Sequence, residues 1–158
     1  MYHLAQTFLK ENGYKQYEIS NWAKPGKECQ HNIVYWKCEP YLGLGLGAHS
    51  LYRGRRYYNE EDIKCYIDCQ GDLSKIRHEE EQITDKIAME EYVFLGLRLL
   101  EGIDEKDFEK RFGQTIWTVY KEPLQKWIRL GLLIYKDNRI YLSTYGLDVC
   151  NEVFSSFL

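Results

Sequence analysis

The sequence predicts an α+β protein built in two parts: strands and short helices first, then a helical region with one hairpin. Three observations predict this. Up to about residue 71, short apolar stretches are cut by the turn signals Asn12-Gly13, Pro25-Gly26 and Arg53-Gly54. From Thr84 onward, apolar residues recur mostly at helical spacing. Between the two, residues 72–81 are polar and rich in Glu, which marks a candidate boundary. With 158 residues the chain can hold one domain, or a domain and part of another.

In chain order, residues 2–12 read as a helix, with Leu4, Phe8 and Leu9 at helical spacing and Asn12-Gly13 as its stop. Tyr14–Ser20 reads as a strand carrying Tyr17 and Ile19. Asn21–Gly26 reads as a turn, and Cys29–Trp36 as a short helix or turn. Tyr41–Tyr52 is apolar and Gly-rich, so it reads as a buried strand that another backbone or a ligand can approach closely. Arg53-Gly54 then reads as a hairpin turn before Arg55–Tyr58. Glu60–Gly71 reads as a helix carrying Ile63, Tyr66 and Ile67.

The second part begins with a long helix over Thr84–Leu100, with Thr84 able to cap its start. A second helix covers about Asp104–Phe112 and stops at Gly113. A third covers Ile116–Leu130, where Pro123 either kinks it or starts a new helix near Glu122. Leu132–Tyr135 and Arg139–Leu142 flank Asp137-Asn138 as a hairpin, and Thr144 caps a last helix through Phe154. The order helix, helix, helix, hairpin, helix is winged-helix-like.

Composition excludes several function classes. Hydrophobic residues make up 44% and charged residues 28%, ordinary for a globular protein. Net charge is −3 and neither half of the chain is basic, which argues against strong non-specific nucleic-acid binding. No run approaches the roughly 20 apolar residues that cross a bilayer. Five cysteines, an odd number, and no recognisable signal peptide point to reduced thiols in the cytoplasm. The 14 Tyr suit interfaces and ligand rims, because each joins an apolar ring to a polar tip.

Three places carry residues with chemistry. Cys65 and Cys69 lie four apart, but the third position of a Cys-x3-Cys-x2-Cys cluster motif is Asp72, so the pattern fails. No Cys and His quartet has zinc spacing. Gly43–Ser50 is Gly-rich, yet lacks the Lys-Ser/Thr of a phosphate loop and the acid of a dinucleotide fingerprint, so it reads as a strand lining a cleft. His31-Asn32-Ile33-Val34-Tyr35-Trp36 places an imidazole beside two aromatic rings. That combination can bind haem, with His31 on the iron and the rings packed on the macrocycle, but on residue types alone a lone His is more often a hydrogen-bonded structural residue.

Several runs together resemble one family. Tyr17–Gly26 resembles the YEISN(F/W)A+PG segment of HemW-type haem chaperones and their coproporphyrinogen-oxidase-like relatives. His31–Trp36 is similar to the HNxxYW motif of the haem chaperones at every fixed position, and Gly43–Ser50 is similar to their GxGxGAHS strand. Met89–Gly102 and the tail from Gly131 to Leu158 resemble the opening and close of their C-terminal domain. The resemblance covers the chain in order.

What this resemblance implies is a terminal piece of a radical-SAM (partial TIM-type) barrel followed by a small winged-helix-like domain. Residues 1–58 would be the barrel's last helix and strands, 59–83 a connecting helix and linker, and 84–158 the C-terminal domain. By the same resemblance His31 is the expected haem-iron ligand, and Asn32, Tyr35 and Trp36 complete the haem site. Gly45, Gly47 and Ala48 would line the cleft for S-adenosyl-L-methionine in the parent protein; for His49 a site role and a structural hydrogen bond are equal readings. The [4Fe–4S] cluster and S-adenosyl-L-methionine belong to the upstream barrel, so this stretch alone is expected to perform no radical chemistry, with haem the cofactor it can hold. The expected partners are haem-accepting proteins, membrane-associated ones among them, and the upstream barrel. The alternatives are part of an oxygen-independent coproporphyrinogen III oxidase, or a winged-helix interaction module. A barrel piece exposes strand edges, so Leu42–Leu51 is expected to be disordered, rearranged or paired with a second copy.

Overall fold

The structure is a computed structural model that describes residues 1–158, apart from the side chains of residues 79 and 80. It is a mixed α/β chain with two compact units. One combines Met1–Cys38 with Met89–Leu158, and the other is Glu39–Ala88.

The first unit opens with helix α1 (Tyr2–Glu11), which buries none of its residues. Gly13 takes a positive φ of 79° and turns the chain into β1 (Lys15–Glu18). β1 pairs antiparallel with β2 (Asn21–Ala23) across a bulge between Gln16 and Glu18. The predicted turn at 21–26 is therefore half strand. Its reversal comes two residues earlier because the buried Glu18 carboxylate accepts from Ser20 N at 2.9 Å and Asn21 Nδ2 at 2.6 Å. Helix α2 (Gln30–Trp36) follows.

The second unit is a three-stranded antiparallel sheet in the order β3 (His49–Tyr52), β4 (Arg55–Asn59) and β5 (Arg77–Gln82). Arg53 and Gly54 both have positive φ and close the β3–β4 hairpin, as a two-residue turn of this hand requires. The reading of 41–52 as a buried strand is corrected. Only β3 and a bridge between Tyr41 and Leu51 are extended pairings there. Between them Gly45 and Gly47 take positive φ, which breaks the strand and turns Leu42, Leu44 and Leu46 out to solvent, Leu44 to 90% exposure.

Helix α3 (Ile63–Asp68) is shorter than the predicted 60–71 and leaves Ile63 and Ile67 exposed. Asp62 sets its start by accepting from Lys64 N and Cys65 N. The polar run 72–81 contains a short helix, α4 (Leu73–Ile76), and then β5 in place of an open connection. Its Glu residues pair along the outer strand, where a polar edge is tolerated.

The rest of the first unit holds the core. Helix α5 (Asp85–Gly96) starts where Ile87 N donates to Thr84 Oγ1 at 3.3 Å. Strand β6 (Ile103–Asp104) was not foreseen; it pairs with β8 (Arg139–Leu142), which also pairs with β7 (Leu133–Lys136). Helix α6 (Glu105–Phe112) is capped by Asp104 and ends at the left-handed Gly113. The predicted third helix is two, α7 (Ile116–Val119) and α8 (Lys121–Arg129), with Pro123 in the first turn of α8, where its missing N–H costs nothing. Asp137 and Asn138, both at positive φ, close the β7–β8 hairpin. The last helix is also two, α9 (Thr144–Asp148) and α10 (Cys150–Ser155), and its cap is Ser143, not Thr144.

Val93, Phe108, Ile116, Leu124, Ile140 and Val153 in this unit are fully buried. Burying each such side chain contributes roughly 1.5–3 kcal/mol. Gly146 is required here, because a Cβ on it would lie 2.1 Å from the Leu132 carbonyl oxygen. Among the described residues no helix is long and apolar enough to cross a membrane.

Candidate functional site

Helix α2 carries the motif singled out in the sequence. His31 and Tyr35 lie one turn apart on it, so their side chains meet. Tyr35 Oη and His31 Nε2 are 2.9 Å apart, and the rings cross edge to face with centroids at 4.7 Å. His31 is exposed; Asn32, Tyr35 and Trp36 are half-buried. The arrangement fits an iron ligand. A ligating imidazole usually spends its second nitrogen on a hydrogen bond that fixes ring and tautomer, and Tyr35 Oη is placed to accept from Nε2–H. Nδ1 then keeps its lone pair for a metal.

The other end of α2 is anchored. The Arg98 guanidinium carbon lies 4.4 Å from the centroid of the Trp36 ring. Arg98 Nη2 reaches Glu18 Oε2 at 3.5 Å, and Glu18 is fully buried. Backbone pairing brings these segments together, with Ile19 N donating to Arg98 O and Leu100 N to Tyr17 O, both at 3.1 Å. Arg111 Nη1 donates to the Lys37 carbonyl at 3.1 Å, a cation at a helix C-terminus. Arg111 Nε also donates to Asp107 Oδ2 at 2.7 Å, and Tyr92 Oη donates to the same oxygen at 2.9 Å. Burial, and then the Asp107 carboxylate, push the Tyr92 phenol well above its ordinary range, so it stays a donor. Trp36 Nε1 and Arg98 Nε are buried without a partner among the described residues. A buried donor left unpaired costs about 1–3 kcal/mol, so packing holds this end of α2 against a local penalty.

The Gly-rich segment belongs to the other compact unit. Asn59 holds it, with Nδ2 donating to Gly45 O at 2.8 Å and its backbone N donating to Ala48 O at 3.0 Å. Gly47 N donates to Glu60 O at 2.9 Å, and Gly43 N to Ser50 Oγ at 3.0 Å. The close approach expected of these glycines occurs at Gly43, where a Cβ would sit 2.2 Å from the His49 carbonyl oxygen. Gly45, Gly47 and Ala48 thus share a fixed loop, and the structure does not bring them together with His31 within one unit. His49 stacks on Tyr58 at 5.5 Å, and Tyr58 on His78 at 5.1 Å, as one cross-strand ladder.

Among the described residues no three His, Cys, Asp or Glu come together as a metal site. Cys69 is buried and its Sγ donates to Tyr66 O at 2.8 Å. Cys65 is exposed, but the Asp62 carboxylate raises its pKa and so disfavours the thiolate that binds metals.

Comparison with known proteins places the chain. Residues 83–149 match the model of the HemN C-terminal domain. The haem chaperone HemW of Bacillus subtilis is 35% identical over 158 residues, all of this chain and 42% of that protein. HemW of Buchnera aphidicola is 54% identical over 97% of this chain and 40% of its own length. The chain belongs to the HemW-type family. It corresponds to the family's C-terminal portion, and it spans about two fifths of the length of these relatives. The mitochondrial radical S-adenosyl methionine domain-containing protein 1 of Bos taurus is 27% identical over the whole chain and 38% of its own length. Among solved structures, the Escherichia coli coproporphyrinogen III oxidase HemN superposes on 98% of the chain and 39% of its own with a TM-score of 0.72. At 17% identity that match speaks for the shared fold alone.

Within this HemW-type chain, the sequence points to α2 and, as a strand, to the Gly-rich segment, but not to Glu18, Arg98 or Arg111. Glu18 lies inside Tyr17–Gly26 and is an acid within a predicted strand, the signal that could have singled it out. Arg98 and Arg111 carry no pattern of their own.

Proposed function

We propose that this chain supplies the haem-binding helix of a radical-SAM haem chaperone, which passes haem to acceptor proteins. The observation that carries the reading is the exposed His31 imidazole, hydrogen-bonded to Tyr35 at 2.9 Å on a helix whose other end is anchored. Haem is the cargo; His31 holds its iron through a free ring nitrogen, and Tyr35 orients the imidazole. Asn32 and Trp36 complete the site along α2. The HemW relatives, named as haem chaperones, support the chaperone reading.

In this reading residues 1–58 end a radical-SAM barrel, 59–83 connect, and 84–158 form a winged-helix-like domain. Gly45, Gly47 and Ala48 line the S-adenosyl-L-methionine cleft of the full-length protein, which also supplies the [4Fe–4S] cluster. The partners are haem acceptors, membrane-associated ones included, the upstream barrel, and a second copy through the exposed Gly-rich segment. Nucleic acid is not among them, since acids intersperse the Lys and Arg of 84–158. Five cysteines, an odd number, read as reduced thiols, which suits the cytoplasm.

Haemin titration followed by visible absorption tests this. A saturable Soret shift is expected, weakened or lost in His31→Ala. An identical shift in both proteins, or none in either, contradicts the reading of α2 as the haem helix. The resemblance of Tyr17–Gly26 to the coproporphyrinogen-oxidase-like relatives, with the match of residues 83–149 to the HemN C-terminal domain, favours a second reading, part of an oxygen-independent coproporphyrinogen III oxidase. Protoporphyrinogen formation by the cluster-loaded full-length protein, above a control lacking S-adenosyl-L-methionine, would establish that reading instead.

A further inference from the structure

Three separated segments meet at the end of α2 that lies away from His31. Glu18 ends β1, Trp36 ends α2, and Arg98 lies just past α5. Glu18 is fully buried, and an ionised carboxylate in such a place needs charge or donors around it. It has Ser20 N, Asn21 Nδ2 and Arg98 Nη2. Arg98 is thereby tethered, and its guanidinium lies 4.4 Å from the Trp36 ring centroid. One residue on, the Lys37 carbonyl accepts from Arg111 at 3.1 Å, and Lys37 Nζ pairs with Glu101 Oε1 at 3.1 Å. The contacts of Arg98 with Trp36, and of Arg111 and Glu101 with Lys37, fall on the last turn of α2 or just past it. At the other end of the helix His31 is exposed, and its Nε2 lies 2.9 Å from Tyr35 Oη.

We propose that Arg98 is a positioning residue for the haem helix: tethered by Glu18, it fixes Trp36 and with Arg111 sets the direction of α2, and so the orientation of His31. The C-terminal segment then has a role in haem handling without touching the iron. This inference rests on the reading of α2 as the haem helix. A rigid support matters because a ligand held loosely loses both affinity and ligand-field definition. Lys at position 98 would keep the charge for Glu18 but lose the flat guanidinium that lies over the Trp36 ring.

The test titrates haemin into the protein and its Arg98→Met, Arg98→Lys, Arg111→Gln and His31→Ala variants. The readouts are Kd and the Soret and charge-transfer bands at saturation, alongside near-UV circular dichroism without haemin. Arg98→Met is expected to weaken haemin about tenfold and shift the bands, with Arg98→Lys recovering part and Arg111→Gln moving the same way. A loss of stability alone would leave the saturated bands of the folded protein unchanged. Wild-type affinity and bands in Arg98→Met and Arg111→Gln, while His31→Ala loses binding, would overturn the proposal. If Arg98→Met does not fold, Arg111→Gln decides. If His31→Ala binds like wild type, the haem reading fails instead. The Trp36 contribution to the dichroism, isolated with Trp36→Phe, then judges the anchor. Its change in Arg98→Met supports the anchor, and its persistence overturns it.

Discussion

His31 and Tyr35 face each other because four residues of helix separate them, and the 2.9 Å contact leaves the imidazole one nitrogen for chemistry. Removing the phenol oxygen tests that division of labour. Tyr35→Phe is expected to weaken haemin binding about tenfold while leaving the fold intact, as loss of a ligand's hydrogen-bond partner commonly does. Equal affinity in a titration would show that Tyr35 does not orient His31. Ser143 illustrates a structural residue at the same scale. Its Oγ donates to Gly131 O at 2.6 Å and accepts from Gly146 N at 3.0 Å, closing the start of α9. Ser143→Ala is expected to cost about 1 kcal/mol, read as a lower urea midpoint.

At the scale of elements, the β3–β4–β5 sheet is held in part by Glu60 just beyond β4. The Asp62 backbone N–H first, and then His78 with its Nε2 at 3.1 Å, keep the Glu60 carboxyl below its ordinary value of 4.5. A carboxyl lowered in the folded state contributes stability above its unfolded pKa, and loses it as pH falls through the folded value. The urea midpoint of Glu60→Gln is therefore expected to fall less steeply than wild type below about pH 4.5, and parallel curves would contradict this. Elements with a local cause were legible in the sequence: α1 with Asn12-Gly13, α6 with Gly113, both hairpins with their two-residue turns. β5 and β6 were not, because an edge strand of Glu and a two-residue strand carry no period of their own and form only when β4 and β8 offer partners. Helix α2 was legible through Cys29–Trp36. Its anchor was not, since Glu18, Arg98 and Arg111 are far apart in sequence and meet only through tertiary pairing.

Leu42, Leu44 and Leu46 stand exposed at 59, 90 and 44% around a loop whose backbone is fixed by Asn59 and Glu60. The expected strand edge is thus replaced by an ordered loop with apolar tips, which favours contact with another surface. Self-association through this loop is expected, and Leu44→Lys is expected to reduce it in light scattering. A wild-type monomer at high concentration would contradict the expectation.

Resonance Raman spectroscopy of the ferrous haem complex decides whether His31 holds the haem iron. An iron–imidazole stretching band is expected in the wild-type protein and is expected to disappear in His31→Ala. The same band in both proteins would place the iron on another side chain and contradict the reading of His31 as its ligand.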